Sequence, residues 1–230
     1  MTLNDKKIPA YVISLPERTD RRKRMEVSLK NRNMEFEYWN ALKLDNKVKE
    51  YQGRRFNPND KLGSPGCYMS HITLLSYIQK QGLDGVLVME DDIYNMAINA
   101  KEKIFTALEY APKDCDMIYF EYILPDKKSL SRHNFMFHKI KGVLWGTACY
   151  YITAKGIELA LKADDKYKLN RSVNKHLDIF YGERIHKLGN SYALYPKLCF
   201  QSESPTSIQN HSNFFNKYLD IRKTVNFKYL

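Results

Sequence analysis

The chain has 230 residues, 43% of them hydrophobic and 27% charged, so it can form one sizeable folded domain and is too apolar to be disordered throughout. Its net charge of +11 favours anionic partners, such as phosphorylated sugars or an acidic membrane surface. The basic residues form no single long run, and no helix-turn-helix, zinc-finger or RNA-recognition motif occurs, so nucleic acid is not expected as a partner.

Apolar periodicity predicts strands that alternate with helices along the chain. Strands are predicted at 8–15, 36–42, 86–89, 116–121, 143–152 and 191–194, and helices at 19–31, 67–81, 99–110, 154–162 and 175–187. Residues 43–65 and the basic stretch 125–142 are predicted to be loops. This order of elements predicts an α/β domain over residues 1–211 with a mostly parallel central sheet.

The remaining segment, 212–230, differs in character because aromatic and basic residues are interleaved in it. Such a mixture suits the surface of an anionic bilayer, and the alternative is a final helix that docks on the core.

The cysteines and the N-terminal sequence indicate the cellular compartment in which the protein is expected. The four cysteines are widely spaced, with no Cys-x-x-Cys pair, which favours neither a zinc site nor a redox pair. The first residues lead into no signal-peptide apolar region, and no apolar stretch is long enough to span a bilayer. We therefore expect buried free thiols in a reducing cytoplasm, with the protein peripheral to the inner face of the cytoplasmic membrane.

Three carboxylates, Glu90, Asp91 and Asp92, directly follow the apolar run 86–89. In open α/β sheets, ligands bind at the carboxyl ends of the strands. Three adjacent like charges repel one another, and a hard divalent cation with oxygen ligands would compensate them. The alternative is a solvated acidic turn.

Four segments carry a resemblance to a known family: YVISLPERTDRR at 11–22, GCYMSH at 66–71, LVMEDD at 87–92, and GTACYYITAKG at 146–156 followed by HLD at 176–178. In this order and spacing, the chain from about residue 11 to 209 resembles the family 25 glycosyltransferases. That family includes bacterial lipooligosaccharide galactosyltransferases and collagen galactosyltransferases.

The resemblance implies a GT-A-like, Rossmann-type fold that binds a nucleotide-sugar. It also implies inverting, β-linked transfer of galactose from UDP-galactose to a lipooligosaccharide or lipopolysaccharide hydroxyl, with Mn²⁺ (or Mg²⁺) as cofactor. Two alternatives stay open at this point. One is a UDP-glucose or UDP-N-acetylhexosamine donor, and the other is a non-catalytic basic module that binds an anionic membrane or nucleic acid.

For the donor, the resemblance assigns the backbone of Ile13, Ser14 and Leu15 to the uracil. Arg18, Arg21 and Arg22 have the spacing of one helical face, and the planar guanidinium suits phosphate oxygens. We expect Arg18 and Arg22 to contact the donor. The alternative is a solvated basic helix face.

The same resemblance assigns a different role to each of the three carboxylates. Asp92 is expected to bind the metal directly, while Glu90 contacts the ribose or a metal-bound water. Asp91 is grouped with the donor-binding residues, although it can also point away from them. His211, near the family's terminal motif, is the candidate third metal ligand.

Inverting transfer needs a base that takes the proton from the attacking hydroxyl. Asp178 is the leading candidate, because the resemblance places an Asp there, and the alternative role for it is helix capping. Glu121 and Glu183 are the other candidate bases. Ser70 and His71 are expected to lie near the donor site, where they either contact the donor or hold the carboxylate loop.

Overall fold

The computed structural model describes residues 8–44, 50–51, 54–55, 63–124, 126–169 and 176–201. His211 and the proposed tail 212–230 lie outside the described residues, as does most of the predicted loop 43–65.

Twelve strands and five α-helices make up the described chain. The strands are β1 (Ala10–Ser14), β2 (Glu37–Asn40), β3 (Glu50–Tyr51), β4 (Arg54–Arg55), β5 (Gly85–Glu90), β6 (Ile93–Tyr94), β7 (Met117–Tyr119), β8 (Leu130–Arg132), β9 (Phe137–Ile140), β10 (Cys149–Thr153), β11 (Ser191–Leu194) and β12 (Phe200–Gln201). The helices are α1 (Thr19–Lys30), α2 (Gly63–Lys80), α3 (Ala100–Glu109), α4 (Ala154–Leu169) and α5 (Leu177–Tyr181), and a π-helical turn (Gly182–His186) continues α5.

Eight of these strands form the central sheet, in the order β2-β1-β5-β10-β7-β11-β9-β8. The pairings β2–β1, β1–β5 and β7–β11 are parallel, whereas β10 is antiparallel to β5 and β7, and β9 is antiparallel to β11 and β8. All strands of the sheet except β10 and β9 therefore point in the same direction. The predicted α/β domain with a mostly parallel sheet is confirmed.

Helices cover both faces of this sheet because its central strands are apolar on both sides. In β5, Val86 and Val88 contact the core that contains α2, α4 and α5, while Leu87 and Met89 contact the core that contains α1 and α3. Both cores are closed to solvent, and all four side chains are at most 2% exposed. The sheet is thus a rigid central layer that fixes the ends of its strands.

The antiparallel strand β10 brings a further segment to the carboxyl edge of the sheet. Because β10 runs against β5 and β7, its start lies where those two strands end. The amide of Glu90 donates to the carbonyl of Ala148, and the amides of Phe120 and Glu121 donate to the carbonyl of Cys149. Residues 146–148 therefore lie between the end of β5 and the end of β7.

The observed elements differ from the sequence predictions at several places, since β3 and β4 lie in the predicted loop 43–65 and α4 continues to Leu169. Two further differences concern the central sheet. Residues 125–142 were expected to be a loop, but they contain the hairpin β8–β9 at the edge of the sheet. Only Phe137 and Ile140 of β9 are buried, and polar residues lie between them. The segment therefore lacks the apolar pattern by which a strand is predicted from sequence. The predicted strand 143–152 was expected to be interrupted at Gly146, whose backbone is left-handed (φ 88°), and the observed strand β10 begins after this glycine, at Cys149.

Candidate active site

Asp91 is a structural link between three elements. Its carboxylate accepts a hydrogen bond of 2.7 Å from Ser14 Oγ at the end of β1 and one of 2.8 Å from Arg21 Nη1 on α1. All three residues are buried. Asp91 therefore points towards β1 and α1, and its charge is compensated within the protein. Its assignment to the donor stays a prediction.

Asp92 has a carboxylate oxygen that is buried and lacks a hydrogen bond within the described part of the chain. The other oxygen, Oδ2, accepts from Gln201 Nε2 at 3.1 Å and lies 3.8 Å from Arg21 Nη1. Burial, then the charge of Glu90, raises the pKa of Asp92 to about 7. The charge of this carboxylate is poorly compensated, so the residue fits a direct ligand of a hard cation.

Gln201 reaches Asp92 because the short ribbon β6–β12 follows the carboxylate loop directly. In this ribbon, Gln201 is paired with Ile93, the residue next to Asp92. The sequence does not predict this contact, since Gln201 is 109 positions away from Asp92.

Glu90 points to the opposite side of β5 from Asp91, as alternation along a strand requires. It accepts a hydrogen bond of 2.6 Å from Thr147 Oγ1, and His71 Nε2 lies 3.4 Å from its Oε1. Burial by itself would raise the pKa of Glu90, but the neighbouring His71 and the bond from Thr147 outweigh it, and the pKa is lowered. Glu90 is therefore held as a carboxylate.

Asp178 lies in the first turn of α5, not at its cap, which is His176. The residue is half-buried, and its Oδ1 accepts from the amide of Ile179 at 2.8 Å. Burial is the main cause that raises the pKa of this carboxyl, and the charge of Glu90 adds to it, while the backbone of Gly146 lowers it. Asp178 and Glu90 thus face the same segment of chain, residues 146–147, from two sides.

Glu121 approaches this segment as well, from the end of β7. It is fully buried, and a Cβ atom placed on Gly146 would lie 2.9 Å from its Oε2. Glu183, the other alternative base, lies in the π-helical turn that follows α5, one turn away from Asp178. The geometry therefore keeps Glu121 near the site and leaves Asp178 as the carboxylate beside both Glu90 and Gly146.

The three arginines that were expected to share a helical face have different surroundings. Arg18 precedes α1 as its N-cap residue and pairs with Asp20 at 3.2 Å near the surface. Arg21 is buried against Asp91, so the alternative of a solvated basic face is wrong at this position. Arg22 lies over the Tyr38 ring at 4.5 Å. Only Arg18 and Arg22 therefore remain near enough to the surface to meet a ligand.

The segment predicted to hold the uracil ends β1 between two neighbouring strands. Ile13 and Ser14 are buried, and Leu15 is partly exposed. The carbonyl of Ser14 already accepts from the amide of Ala41 and from Arg22 Nη2, both at 2.9 Å. A ligand at this edge would meet a backbone whose shape is fixed by protein contacts.

Ser70 and His71 have separate tasks on α2. Ser70 Oγ donates to the carbonyl of Gly66 at 2.6 Å and accepts from the amide of Leu42 at 2.8 Å, so it ties the chain after β2 to this helix. His71 is fully buried, with Nδ1 bonded to the hydroxyl of Tyr150 at 2.8 Å and Nε2 facing Glu90. Ser70 is thus structural, and His71 belongs to the carboxylate site.

These contacts define an α/β protein with a GT-A-like fold whose carboxyl edge collects the carboxylates Glu90, Asp92 and Asp178. A solved structure, that of a glycosyltransferase involved in the glycosylation of the major capsid of PBCV-1, overlaps it with a TM-score of 0.52 and 11% identity, covering 88% of this chain and 95% of that one. A mannose-1-phosphate geranyltransferase from Thermus thermophilus gives a TM-score of 0.46 at 11% identity, with 82% and 74% covered, which is too low to define a relationship.

A family model for glycosyltransferase family 25, described as LPS biosynthesis protein, matches residues 7–175. The chain belongs to this family and is a glycosyltransferase. A search of curated proteins finds no significant match. Within the described residues, no helix combines the length and the apolar character needed to cross a membrane.

Proposed function

We propose that the protein transfers galactose, with inversion, from UDP-galactose to a hydroxyl of a lipooligosaccharide or lipopolysaccharide acceptor in a metal-dependent reaction. The observation that carries the proposal is the state of Asp92. Its Oδ1 is buried without a hydrogen bond among the described residues, and its pKa is raised to about 7 at the edge where such sheets bind ligands. A divalent cation would supply a close positive partner.

On the donor side, Asp92 would bind Mn²⁺ or Mg²⁺. His211 remains the proposed further ligand, although it lies outside the described residues. When bound, the cation stabilises the charge that develops on the diphosphate leaving group. Arg18 and Arg22 would contact the donor phosphates, and the end of β1 (Ala10–Ser14) would face the uracil.

On the acceptor side, Asp178 would take the proton from the attacking hydroxyl. Its raised pKa makes it a stronger base than an ordinary Asp. Glu90, held by Thr147 and kept ionised, would orient the ribose or a metal-bound water. Of the three carboxylates, only Glu90 is held ionised by its protein surroundings, whereas Asp92 would need the cation to become so.

The net charge of +11 supports a phosphorylated acceptor held at an anionic membrane surface. The hairpin β8–β9 adds described basic residues, including Arg132 and Lys139. We propose peripheral association with the cytoplasmic membrane, to which the segment 212–230 would contribute. Sedimentation of the full chain with anionic vesicles, compared with a chain that ends at residue 211, tests this part separately.

The central experiment is a donor screen on the purified full chain, with and without Mn²⁺, using UDP-galactose, UDP-glucose and UDP-N-acetylhexosamines. Transfer or slow hydrolysis that prefers UDP-galactose and requires Mn²⁺ is the expected result. Asp92→Asn should abolish it, whereas Glu158→Gln, a change at an exposed carboxylate of α4, should not.

A preference for another UDP-sugar would overturn the galactose assignment only. If Asp92→Asn retained wild-type activity, the metal assignment would be wrong. If UDP with Mn²⁺ did not raise the melting temperature at all, the donor-binding role would fail, since a ligand that binds the native state must stabilise it.

A further inference from the structure

Cys67, His71 and Glu90 bring three different ligand types together next to the proposed donor site. One ligand atom from each, the Cys67 Sγ, a His71 ring nitrogen and a Glu90 carboxylate oxygen, all lie within 4.8 Å of one another. Cys67 and His71 are four residues apart on α2 and therefore share a helical face. Glu90 meets them from the end of β5.

His71 is oriented for metal binding by the residues behind it. Its Nδ1 is bonded to the Tyr150 hydroxyl at 2.8 Å, and that hydroxyl lies 3.0 Å from the hydroxyl of Tyr181. The other nitrogen, Nε2, is buried and makes no hydrogen bond within the described residues. Metal-binding histidines have this arrangement, in which a hydrogen bond to one ring nitrogen fixes the ring while the other binds the ion.

The spacing of the His71 and Glu90 ligand atoms fits a tetrahedral ion. With Zn–N and Zn–O bonds of about 2.0–2.1 Å, two ligands of a tetrahedral site are about 3.3 Å apart. His71 Nε2 and Glu90 Oε1 are 3.4 Å apart, which is within ion-pair distance. An ion between them would therefore need little movement of either side chain.

The geometry points to a second metal site at Cys67, His71 and Glu90, one that takes a soft divalent ion of the Zn²⁺ type and leaves a fourth position open. A thiolate and an imidazole select such ions over Mn²⁺ or Mg²⁺, which prefer oxygen ligands. The site thus differs in chemistry from the proposed donor cation at Asp92. Because Glu90 also accepts from Thr147, an ion bound here would fix the carboxylate that faces the donor.

Co²⁺ titration of the full chain, stripped of metal beforehand, tests this site directly. Co²⁺ serves as a spectroscopic probe because a thiolate ligand produces a near-ultraviolet charge-transfer band. We expect the band to saturate at one Co²⁺ per chain and to disappear in Cys67→Ser. The matched control is Cys115→Ser, another partly exposed cysteine, which should keep the band.

Two further variants keep the test decisive if Cys67→Ser folds poorly. Tyr150→Phe removes only the hydroxyl bonded to His71 and should weaken Co²⁺ binding by about 10- to 100-fold. Asp92→Asn should leave the thiolate band intact, because Asp92 is not a ligand of this site. Competition with Zn²⁺ should abolish the band, and Mn²⁺ should not.

No thiolate band in the wild-type chain would overturn the proposal, and so would a band that survives in Cys67→Ser. A band lost in Asp92→Asn would show that the two sites are not independent and would also overturn it. None of these readings uses a sugar donor, so the result does not depend on the proposed galactosyl transfer.

Discussion

The guanidinium of Arg21 lies 2.8 Å from the carboxylate of Asp91, and both side chains are about nine-tenths buried. This ion pair joins α1 to the end of β5 inside the protein. Ser14 Oγ adds a hydrogen bond of 2.7 Å to the same carboxylate. The middle residue of the acidic triplet is therefore used to hold the sheet edge together, which leaves the residues on either side for ligands.

We predict that Arg21→Met lowers the free energy of unfolding by about 3–5 kcal/mol, because it leaves Asp91 buried without its cation. The double variant Arg21→Met/Asp91→Asn should recover much of this loss, since the unpaired charge is then gone. Urea denaturation measures both values.

Arg18→Met is the matched control for this pair, because Arg18 pairs with Asp20 near the surface and should change stability by no more than about 0.5 kcal/mol. Equal costs for Arg18→Met and Arg21→Met would contradict a structural role for the buried pair. If Arg18 contacts the donor, Arg18→Met should also raise the KM for the UDP-sugar, although it leaves stability almost unchanged.

The buried carboxyl of Asp92 should make the metal-free protein less stable as the pH rises from about 4 to about 7. Its pKa is raised from 3.8 to about 7, so over this window the folded state binds a proton that the unfolded state has released. The corresponding loss of stability is at most about 4 kcal/mol. Asp178, whose pKa is also raised, acts in the same direction.

Asp92→Asn isolates this effect, because an amide does not titrate. Denaturation at pH 5 and pH 7.5, with a chelator present, should show that the variant loses less stability than the wild type between the two values. Parallel behaviour of the two proteins would refute the raised pKa. In the wild type at pH 7.5, Mn²⁺ should restore stability, since a cation compensates the ionised carboxylate.

Gly146→Ala should both destabilise the protein and impair transfer. The φ of Gly146 is 88°, and a Cβ atom there would lie 2.9 Å from Glu121 Oε2. Gly82, with φ 66° and no atom within 4 Å of such a Cβ, is the matched control. Both alanine variants carry a backbone cost of about 1–2 kcal/mol, but only Gly146→Ala also disturbs the segment beside Glu90 and Asp178.

Thermal melts and a transfer assay on the two glycine variants separate these contributions. Gly82→Ala should keep full activity at a temperature where it is folded. If Gly146→Ala were equally active and no less stable than Gly82→Ala, the close contact with Glu121 would have no consequence.

Asp178→Asn should lower kcat by about 10²- to 10⁴-fold, the usual contribution of a general base, with little change in the KM for the donor. In the wild type, the acidic limb of the kcat/KM profile should lie above the ordinary Asp range, because burial raises the pKa of this carboxyl. A pH series of initial rates measures both effects.

Glu183→Gln is the control for Asp178→Asn, as it removes a carboxylate one turn farther along the chain. It should leave kcat almost unchanged. Near-normal activity of Asp178→Asn would transfer the role of base to another carboxylate, with Glu121 the nearest alternative.

The sequence predicted those elements whose pattern is local. The strand 191–194 was predicted with its observed bounds, and the apolar run 86–89 is the interior of β5. A strand buried on both faces is a continuous apolar run, so periodicity suffices to find it. The hairpin β8–β9 was missed because an edge hairpin with charged residues has no such run.

The candidate site was only partly predictable. The sequence placed Glu90, Asp91 and Asp92 at the end of a strand, and the family resemblance selected Asp178. Neither the sequence nor the resemblance revealed that Arg21 would pair with Asp91, 70 positions away, or that Gln201 would reach Asp92 across 109 positions. Such contacts depend on the order of strands and on which helix covers which face.

That a buried strand ends in three carboxylates follows from the local sequence, because apolar runs and their limits are properties of neighbouring residues. The differences among the three carboxylates depend on the folded chain. Alternation along β5 turned Asp91 to α1 and Glu90 to α2, and the ribbon β6–β12 brought Gln201 to Asp92. Since pKa and function depend on the groups within a few ångströms of each carboxylate, these roles were fixed by packing between distant segments.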